Sequence, residues 1–262
     1  MSGAAYVAPD VLSWENMKRI LLILTGGTIC TALNEQNTLS VNDKAASQLK
    51  INFENSDSFY ADKVRIDSTD NLYILSENMT VEKWNVMYKT YLEYVKKERY
   101  DGVIFAHGTD TLAFSASLFS IILSGTDIPI FFVSSNKRLD LPQANGNDNF
   151  RCAVESICRG IAPGVYVSYK NISDGQMYIH IASRLMQCEN YSDDFHSVGE
   201  LNVTDMTEEN YHSYFDEIES KFSSECKFMV TDFELKNNVL LLQPYVGLNY
   251  GAIDYSRFSA VL

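Results

Sequence analysis

The side chains best suited to do chemistry in this sequence lie in two glycine-threonine segments. The first segment, Thr25 to Thr28, follows the aliphatic run Leu21 to Leu24, and the second, His107 to Thr111, follows the apolar run Val103 to Ala106. Buried parallel strands are nearly continuous apolar runs, and ligands bind beyond the carboxyl ends of such strands. We therefore predict that the two segments line one site, where glycine lets a ligand approach bare backbone.

Three polar side chains in these segments indicate what the chemistry could be. Thr28 and Thr109 are weak nucleophiles unless a base lies within hydrogen-bond reach. Asp110 could bind a substrate amine or pair with a cation. His107 has two interpretations, a catalytic base or a residue that orders the strand end through backbone hydrogen bonds, and the sequence leaves both open.

Composition excludes several classes of function. The chain has 262 residues, 46% of them hydrophobic, and a net charge of −13, whereas nucleic-acid binding needs clustered Lys and Arg. No apolar run is long enough to span a membrane, and the N-terminus lacks the pattern of a signal peptide. The five cysteines are odd in number and lack metal-ligand spacing, which predicts reduced thiols in a cytoplasmic protein.

Strands and helices alternate with the lengths of right-handed βαβ units, which predicts an α/β fold with a parallel sheet. Thr80 is a candidate N-cap for the clearest helix, which carries lysines near its C-terminal end. The polar segment from Thr31 to Asp57 predicts a long loop, of the kind that often forms a lid. The predicted strands are 21–24, 64–66, 72–75, 103–106, 130–133, 165–168 and 239–242, and further helices are predicted near 112–123 and 150–158.

The two motifs, in this order and about 80 residues apart, resemble the signature motifs of the bacterial-type L-asparaginase family, most closely its cytoplasmic type. Members of that family hydrolyse asparagine and sometimes glutamine. The segment Ser76 to Thr80, followed by Trp84, is similar to the substrate-binding segment of the family. The resemblance covers roughly residues 19–262.

The resemblance implies a division of the chain. A leader, 1–18, precedes a large N-terminal domain, 19–190, with a parallel sheet of the Rossmann-like or flavodoxin-like kind. A linker, 191–225, then leads into the beginning of a smaller C-terminal α/β domain, 226–262. The sequence therefore stops early in the second domain of the family.

The resemblance also implies roles for individual residues. Thr28 would be the nucleophile that forms an acyl-enzyme and releases ammonia, and Thr109 would activate water or assist proton transfer. Asp110 would hold the α-amino group of the substrate, with Glu77 as a further contact, and Ser76 would bind the α-carboxylate. Gly27 and Gly108 would line the substrate site, where backbone amides suit a developing oxyanion.

Two positions depart from the family pattern. One alignment places Gln187 where the family has its general-base lysine, and another alignment places His180 there. A glutamine cannot accept the proton, and general-base catalysis is often worth about 10²–10⁴-fold. The lid tyrosine of the family is also unmatched, and Thr38 is the candidate to replace it with a shorter hydroxyl.

Three functional hypotheses remain open from the sequence. The chain is an asparaginase-type amidohydrolase, a family member that binds amino acids or regulates without efficient turnover, or an amidase for another substrate with His180 or Lys137 as its base. The expected partners are a small-molecule substrate, L-asparagine or L-glutamine, and further copies in a homodimer or homotetramer. The resemblance implies no metal and no organic cofactor, and the composition indicates no nucleic acid and no membrane.

Overall fold

A mainly parallel seven-stranded sheet forms the centre of the protein. A computed structural model describes residues 17–33, 39–41, 44–70, 72–188, 191–221, 234–235, 238–242 and 246–261. The strands of the central sheet are β1 (Lys18–Leu24), β4 (Val64–Ser68), β5 (Gly102–Ala106), β6 (Pro129–Val133), β7 (Gly164–Lys170), β8 (Met177–Ile181) and β9 (Leu201–Asn202). Two short pairs lie outside it: β2 (Thr31–Leu33) with β3 (Leu39–Val41), and β10 (Val239–Leu240) with β11 (Ala260–Val261). The helices are α1 (Lys44–Glu54), α2 (Val81–Lys97), α3 (Leu112–Ile122), α4 (Gly146–Arg159) and α5 (Tyr211–Lys221).

The strand order confirms the predicted α/β class. The order in the sheet is β4-β1-β5-β6-β7-β8-β9, and all pairs from β4 to β7 are parallel. β5 and β6 are buried along their whole length, as expected of strands that helices cover on both faces. One core packs α1, α4 and α5 against the sheet, and a second core packs α2 and α3 against the opposite face.

Local signals located the central helices well. α2 begins where the sequence predicts it, and the Thr80 side chain accepts a hydrogen bond from the Lys83 backbone N–H at 3.4 Å. This bond satisfies one of the free N–H groups of the first helical turn. α4 starts earlier than the predicted helix near 150–158, at Gly146, with Asn145 at its N-cap.

Three predictions of secondary structure differ from the structure, and two edge strands were not predicted. Residues 72–75 form no strand, because Tyr73 adopts a φ of 54° and Ile74 turns back to bond Thr25. The predicted loop from Thr31 to Asp57 contains β2, β3 and α1. The strand at 239–242 is shorter than predicted and exposed, with Leu241 68% accessible. The sheet also ends in two antiparallel strands, β8 and β9, where the sequence shows no alternation with helices.

The segment predicted as a linker carries ordered structure of its own. Within 191–221, β9 pairs with β8, Phe195 is buried and α5 packs its Phe215 and Ile218 into a core. The domain boundaries themselves stay a prediction. No helix among the described residues is both long and apolar enough to span a bilayer. The four described cysteines carry free thiols, of which those of Cys30 and Cys152 are buried.

Candidate active site

The two glycine-threonine segments meet because β1 and β5 are neighbours in register. Leu24 lies opposite Ala106, the last residue of β5. Thr25 then donates two hydrogen bonds to the Ala106 carbonyl, from its backbone N–H at 3.1 Å and from its hydroxyl at 2.7 Å. The following turns therefore leave the sheet side by side, at the carboxyl edge where ligands bind in parallel sheets.

Contact between the two turns depends on glycine at two positions. Gly27 adopts a φ of 79°, and a Cβ built there would lie 2.3 Å from the Cα of Gly108. A Cβ on Gly108 would lie 2.3 Å from the Ser76 hydroxyl oxygen. Both distances are far below van der Waals contact. A side chain on Gly27 would therefore force the two backbones apart, and one on Gly108 would displace the Ser76 side chain.

A serine-aspartate pair connects the second turn to the segment that precedes α2. The Ser76 hydroxyl, which is 2% exposed, donates a hydrogen bond to Asp110 Oδ2 at 2.6 Å. The Thr111 hydroxyl donates in turn to the Ser76 carbonyl at 3.0 Å. Short hydrogen bonds to a carboxylate are among the stronger ones in proteins. These bonds hold the exposed carboxylate of Asp110 over the meeting point of the turns.

In the described part of the chain, the two candidate nucleophiles have no base as a hydrogen-bond partner. Thr28 opens the short 3-10 turn Thr28–Cys30, and both Thr28 and Thr109 are half-buried. Among the described residues, neither threonine hydroxyl has a hydrogen-bond partner. The hydroxyl of neighbouring Thr31 instead donates to the Gly27 carbonyl at 2.9 Å, which fixes the turn that carries Thr28.

Gln187 reaches the second turn, at the position where one alignment expects a lysine. Its side-chain Nε2 donates to the Asp110 carbonyl at 2.9 Å and lies 3.8 Å from Cys188 Sγ. This contact is one residue away from Thr109. Gln187 therefore holds the backbone of the second turn with an amide group, which cannot accept a proton from a hydroxyl at neutral pH.

The other sequence candidates have different surroundings. His180 lies within β8, fully buried, and its Nδ1 is 2.8 Å from the Ser197 hydroxyl. Among the described hydrogen bonds, none joins His180 to either turn. Lys137 and Glu77 are exposed, and Glu77 lies in the same 3-10 turn as Ser76. Thr38 lies outside the described residues.

His107 orders the second turn from below. It is fully buried, and its Nδ1 lies 2.7 Å from the Gly108 carbonyl oxygen. Burial lowers the pKa of His107 to about 4, although the Gly108 hydrogen bond and the charge of Asp110 oppose this shift. The imidazole is therefore neutral at physiological pH, and these contacts match the structural interpretation of His107.

Two buried histidines predict a loss of stability in mild acid. Burial also lowers the pKa of His180, to about 3. Both side chains stay neutral in the folded state while the unfolded chain binds protons below a pKa of about 6.5, so their contribution is full above that pKa and declines as pH falls. We expect each histidine to cost about 2 kcal/mol of unfolding free energy between about pH 7 and pH 5. Urea unfolding at both pH values measures this loss.

The matched variants replace a histidine by a side chain that does not titrate. His107→Asn and His180→Asn should each remove about half of the pH dependence, whereas His212→Asn, at an exposed histidine, should leave it unchanged. If the unfolding free energy changed equally with pH in the wild type and in both buried-histidine variants, the loss would not come from His107 and His180.

Sequence reasoning missed two residues that build the site. The Thr25 hydroxyl anchors the first turn on β5. Its position directly before Gly26 could have indicated this role. Ile74 donates its backbone N–H to the Thr25 carbonyl at 2.6 Å, and its own carbonyl leaves room for no side chain at Gly26. No local pattern in the sequence indicates the role of Ile74, because its contact is made by backbone.

Sheet topology and site together define a class of protein. It is an α/β protein with a mainly parallel sheet, in which two Gly-Thr turns follow the ends of adjacent strands and a hydrogen-bonded Ser-Asp pair lies beside them. Within the described residues, no three His, Cys, Asp or Glu side chains form a metal-binding group. A family model described as "Asparaginase, N-terminal" matches residues 19–219. The chain belongs to the asparaginase family.

Curated relatives extend well beyond the matched region. The chain is 30% identical over 190 residues to a glutamyl-tRNA(Gln) amidotransferase subunit of the D type from Methanosarcina acetivorans, a match that covers 72% of this chain and 43% of that protein. The corresponding amidotransferase protein of Methanococcus maripaludis is 26% identical over 243 residues, covering 89% of this chain and 55% of that protein. The chain thus spans about half the length of the curated relatives it matches.

Solved structures agree on the fold. The thermostable L-asparaginase from Thermococcus kodakarensis superposes with a TM-score of 0.62 at 21% identity, covering 89% of this chain and 66% of that one. L-asparaginase I from Vibrio cholerae gives a TM-score of 0.61 at 18% identity, covering 90% and 67%. At these identities the likeness establishes the asparaginase fold.

Proposed function

We propose that the protein is an amidohydrolase that converts L-asparagine to L-aspartate and ammonia, with L-glutamine as the second substrate to test. The observation that carries this proposal is the contact between Gly27 and Gly108, with the Ser76–Asp110 hydrogen bond beside it. Membership of the asparaginase family supports the same reaction class.

In the proposed reaction the Thr28 hydroxyl oxygen attacks the side-chain amide carbon of the substrate. The C–N bond breaks, the nitrogen takes up a proton and ammonia leaves, so that an acyl ester on Thr28 remains. Water assisted by Thr109 then hydrolyses this ester and releases aspartate. Asp110, with Glu77 near it, would hold the α-ammonium group, and Ser76 would bind the α-carboxylate. Backbone N–H groups of the two turns would stabilise the oxyanion.

Gln187 supplies no general base at the position where one alignment expects a lysine. Because its amide donates to the Asp110 carbonyl, it supports the second turn without accepting a proton. General-base catalysis is typically worth about 10²–10⁴-fold, so we expect turnover to be slower than in a site with a lysine at this position.

The test is ammonia release from L-asparagine and L-glutamine by the full chain. Release that depends on Thr28 and Thr109 would support the proposal. A wild type that releases no ammonia, while asparagine or aspartate still raises its melting temperature, would instead support the second candidate: an amino-acid-binding or regulatory module. The observation that favours this candidate is that neither threonine hydroxyl has a base beside it among the described residues.

A lysine at position 187 should restore the base. We expect Gln187→Lys to raise kcat for ammonia release by roughly tenfold or more, because a lysine amine can accept a proton that an amide cannot. Gln187→Arg is the matched control, since guanidinium adds the same charge but is effectively always protonated. An equal gain in both variants would show that charge, rather than proton transfer, changes the rate.

The assembly and substrate range belong to the same proposal. We propose a cytoplasmic homodimer or homotetramer, which sedimentation analysis would test. The amidotransferase names of the curated relatives make other amides worth including in the substrate panel. An amidase for another amide would need a base other than His180, because that residue is buried against Ser197.

A further inference from the structure

A second cavity lies at the edge of the sheet opposite the candidate active site. Its volume is about 320 Å³, within the usual range for small-molecule sites of about 300–1,000 Å³. The C-terminal halves of α2 and α3 form its sides, and the segments that lead into β5 and β6 complete it. One active-site turn leaves the opposite end of β5, and the other leaves the same end of its neighbour β1.

The lining combines aromatic and aliphatic surface. Tyr88, Tyr91 and Tyr100 contribute rings that are at most 9% exposed, and Ile122 and Leu123 close the α3 side. Offset and edge-on contacts between aromatic rings add stability beyond area burial. A flat apolar group would therefore find complementary surface on several sides of this cavity.

Charged groups at the mouth favour an anion. Lys96, Arg99, Glu98 and Asp127 surround it. The Glu98 carboxylate is occupied, because it accepts a hydrogen bond from Arg19 at 2.8 Å. Among the described residues, neither Lys96 nor Arg99 takes part in an ion pair. Two cations are thus available to a carboxylate at the mouth. Of the two carboxylates that line the cavity, Glu98 is paired with Arg19, and Asp127 opposes the bound anion.

We propose that this cavity binds a small aromatic carboxylate. The ring lies among the three tyrosines, and the carboxylate points outward to Lys96 and Arg99. α3 connects the two sites, because it begins directly after the Asp110 turn and ends at the cavity, about 16 Å away for 11 residues. The binding proposal does not depend on the proposed hydrolysis of asparagine.

Isothermal titration of the full chain with 3-phenylpropionate tests the proposal directly. We expect 3-phenylpropionate to bind saturably. The alcohol 3-phenylpropan-1-ol, which lacks the charge, should bind with an affinity at least about threefold lower, consistent with the modest strength of exposed ion pairs. Lys96→Ala and Arg99→Ala should each weaken 3-phenylpropionate binding by a similar factor. Lys97→Ala is the matched control, because that neighbouring lysine pairs with Glu93 and does not line the cavity.

A filling variant separates this cavity from any other site. Leu92→Trp places a larger side chain in the cavity and should abolish binding, while circular dichroism checks that the fold is kept. If Leu92→Trp does not fold, the Lys96, Arg99 and Lys97 variants still test whether the ligand binds in this cavity. No saturable binding by the wild type, undiminished binding to folded Leu92→Trp, or equal affinities for the acid and the alcohol would each overturn the proposal.

Discussion

Thr28→Ala is expected to reduce ammonia release from L-asparagine by at least about 10³-fold, because removal of a nucleophile eliminates the covalent route. The fold should survive this change. Thr28 is half-buried and, among the described residues, its hydroxyl has no hydrogen-bond partner, so we expect the free energy of unfolding to change by less than about 1 kcal/mol. Single-turnover assays and urea unfolding measure the two quantities separately.

Two further variants make the Thr28 result decisive. Thr28→Ser keeps a hydroxyl at the same place and should retain measurable turnover. The assay should also be run in the Gln187→Lys background, where the expected gain in rate widens the measurable range. Turnover in Thr28→Ala that equals the wild-type rate would exclude Thr28 as the nucleophile and would direct attention to Thr109.

Gly27→Ala should be among the most destabilising single substitutions in the protein. Gly27 combines a φ of 79° with a ψ of −173°, a backbone region essentially confined to glycine, so another residue there costs about 1–3 kcal/mol. The new Cβ would also lie 2.3 Å from the Gly108 Cα. Because the contact is backbone against backbone, no side chain can move aside. We expect a loss of at least about 3 kcal/mol of unfolding free energy, or failure to fold.

Gly160→Ala is the control for a positive φ without a close contact. Gly160 also has a positive φ, 85°, but its ψ of 38° places it in the left-handed helical region, and a Cβ there meets nothing within 4 Å. We expect Gly160→Ala to cost about 1–2 kcal/mol, the penalty of the left-handed conformation alone. Similar losses in both variants, measured by urea unfolding, would contradict the role of Gly27 in close contact between the two turns.

Residue types alone identified the strands that hold the site and the motifs at their ends. Leu21 to Leu24 and Val103 to Ala106 are apolar on both faces, a pattern typical of a doubly covered strand, and both are central strands. The cap at Thr80 is likewise a local matter, since a threonine side chain meets the free N–H groups of its own helix.

How these parts meet depends on contacts between distant parts of the chain. No local pattern states that β1 and β5 are adjacent, that Ser76 bonds Asp110, or that Gln187 reaches the Asp110 carbonyl across 77 residues of sequence. The edge strands β8 and β9 and the backbone turn at Ile74 depend on pairing partners distant in the chain, as sheet structure generally does. A contact between backbones restricts the residue type only where it requires glycine. The glycines of the two turns are therefore the residues by which the sequence indicated the site.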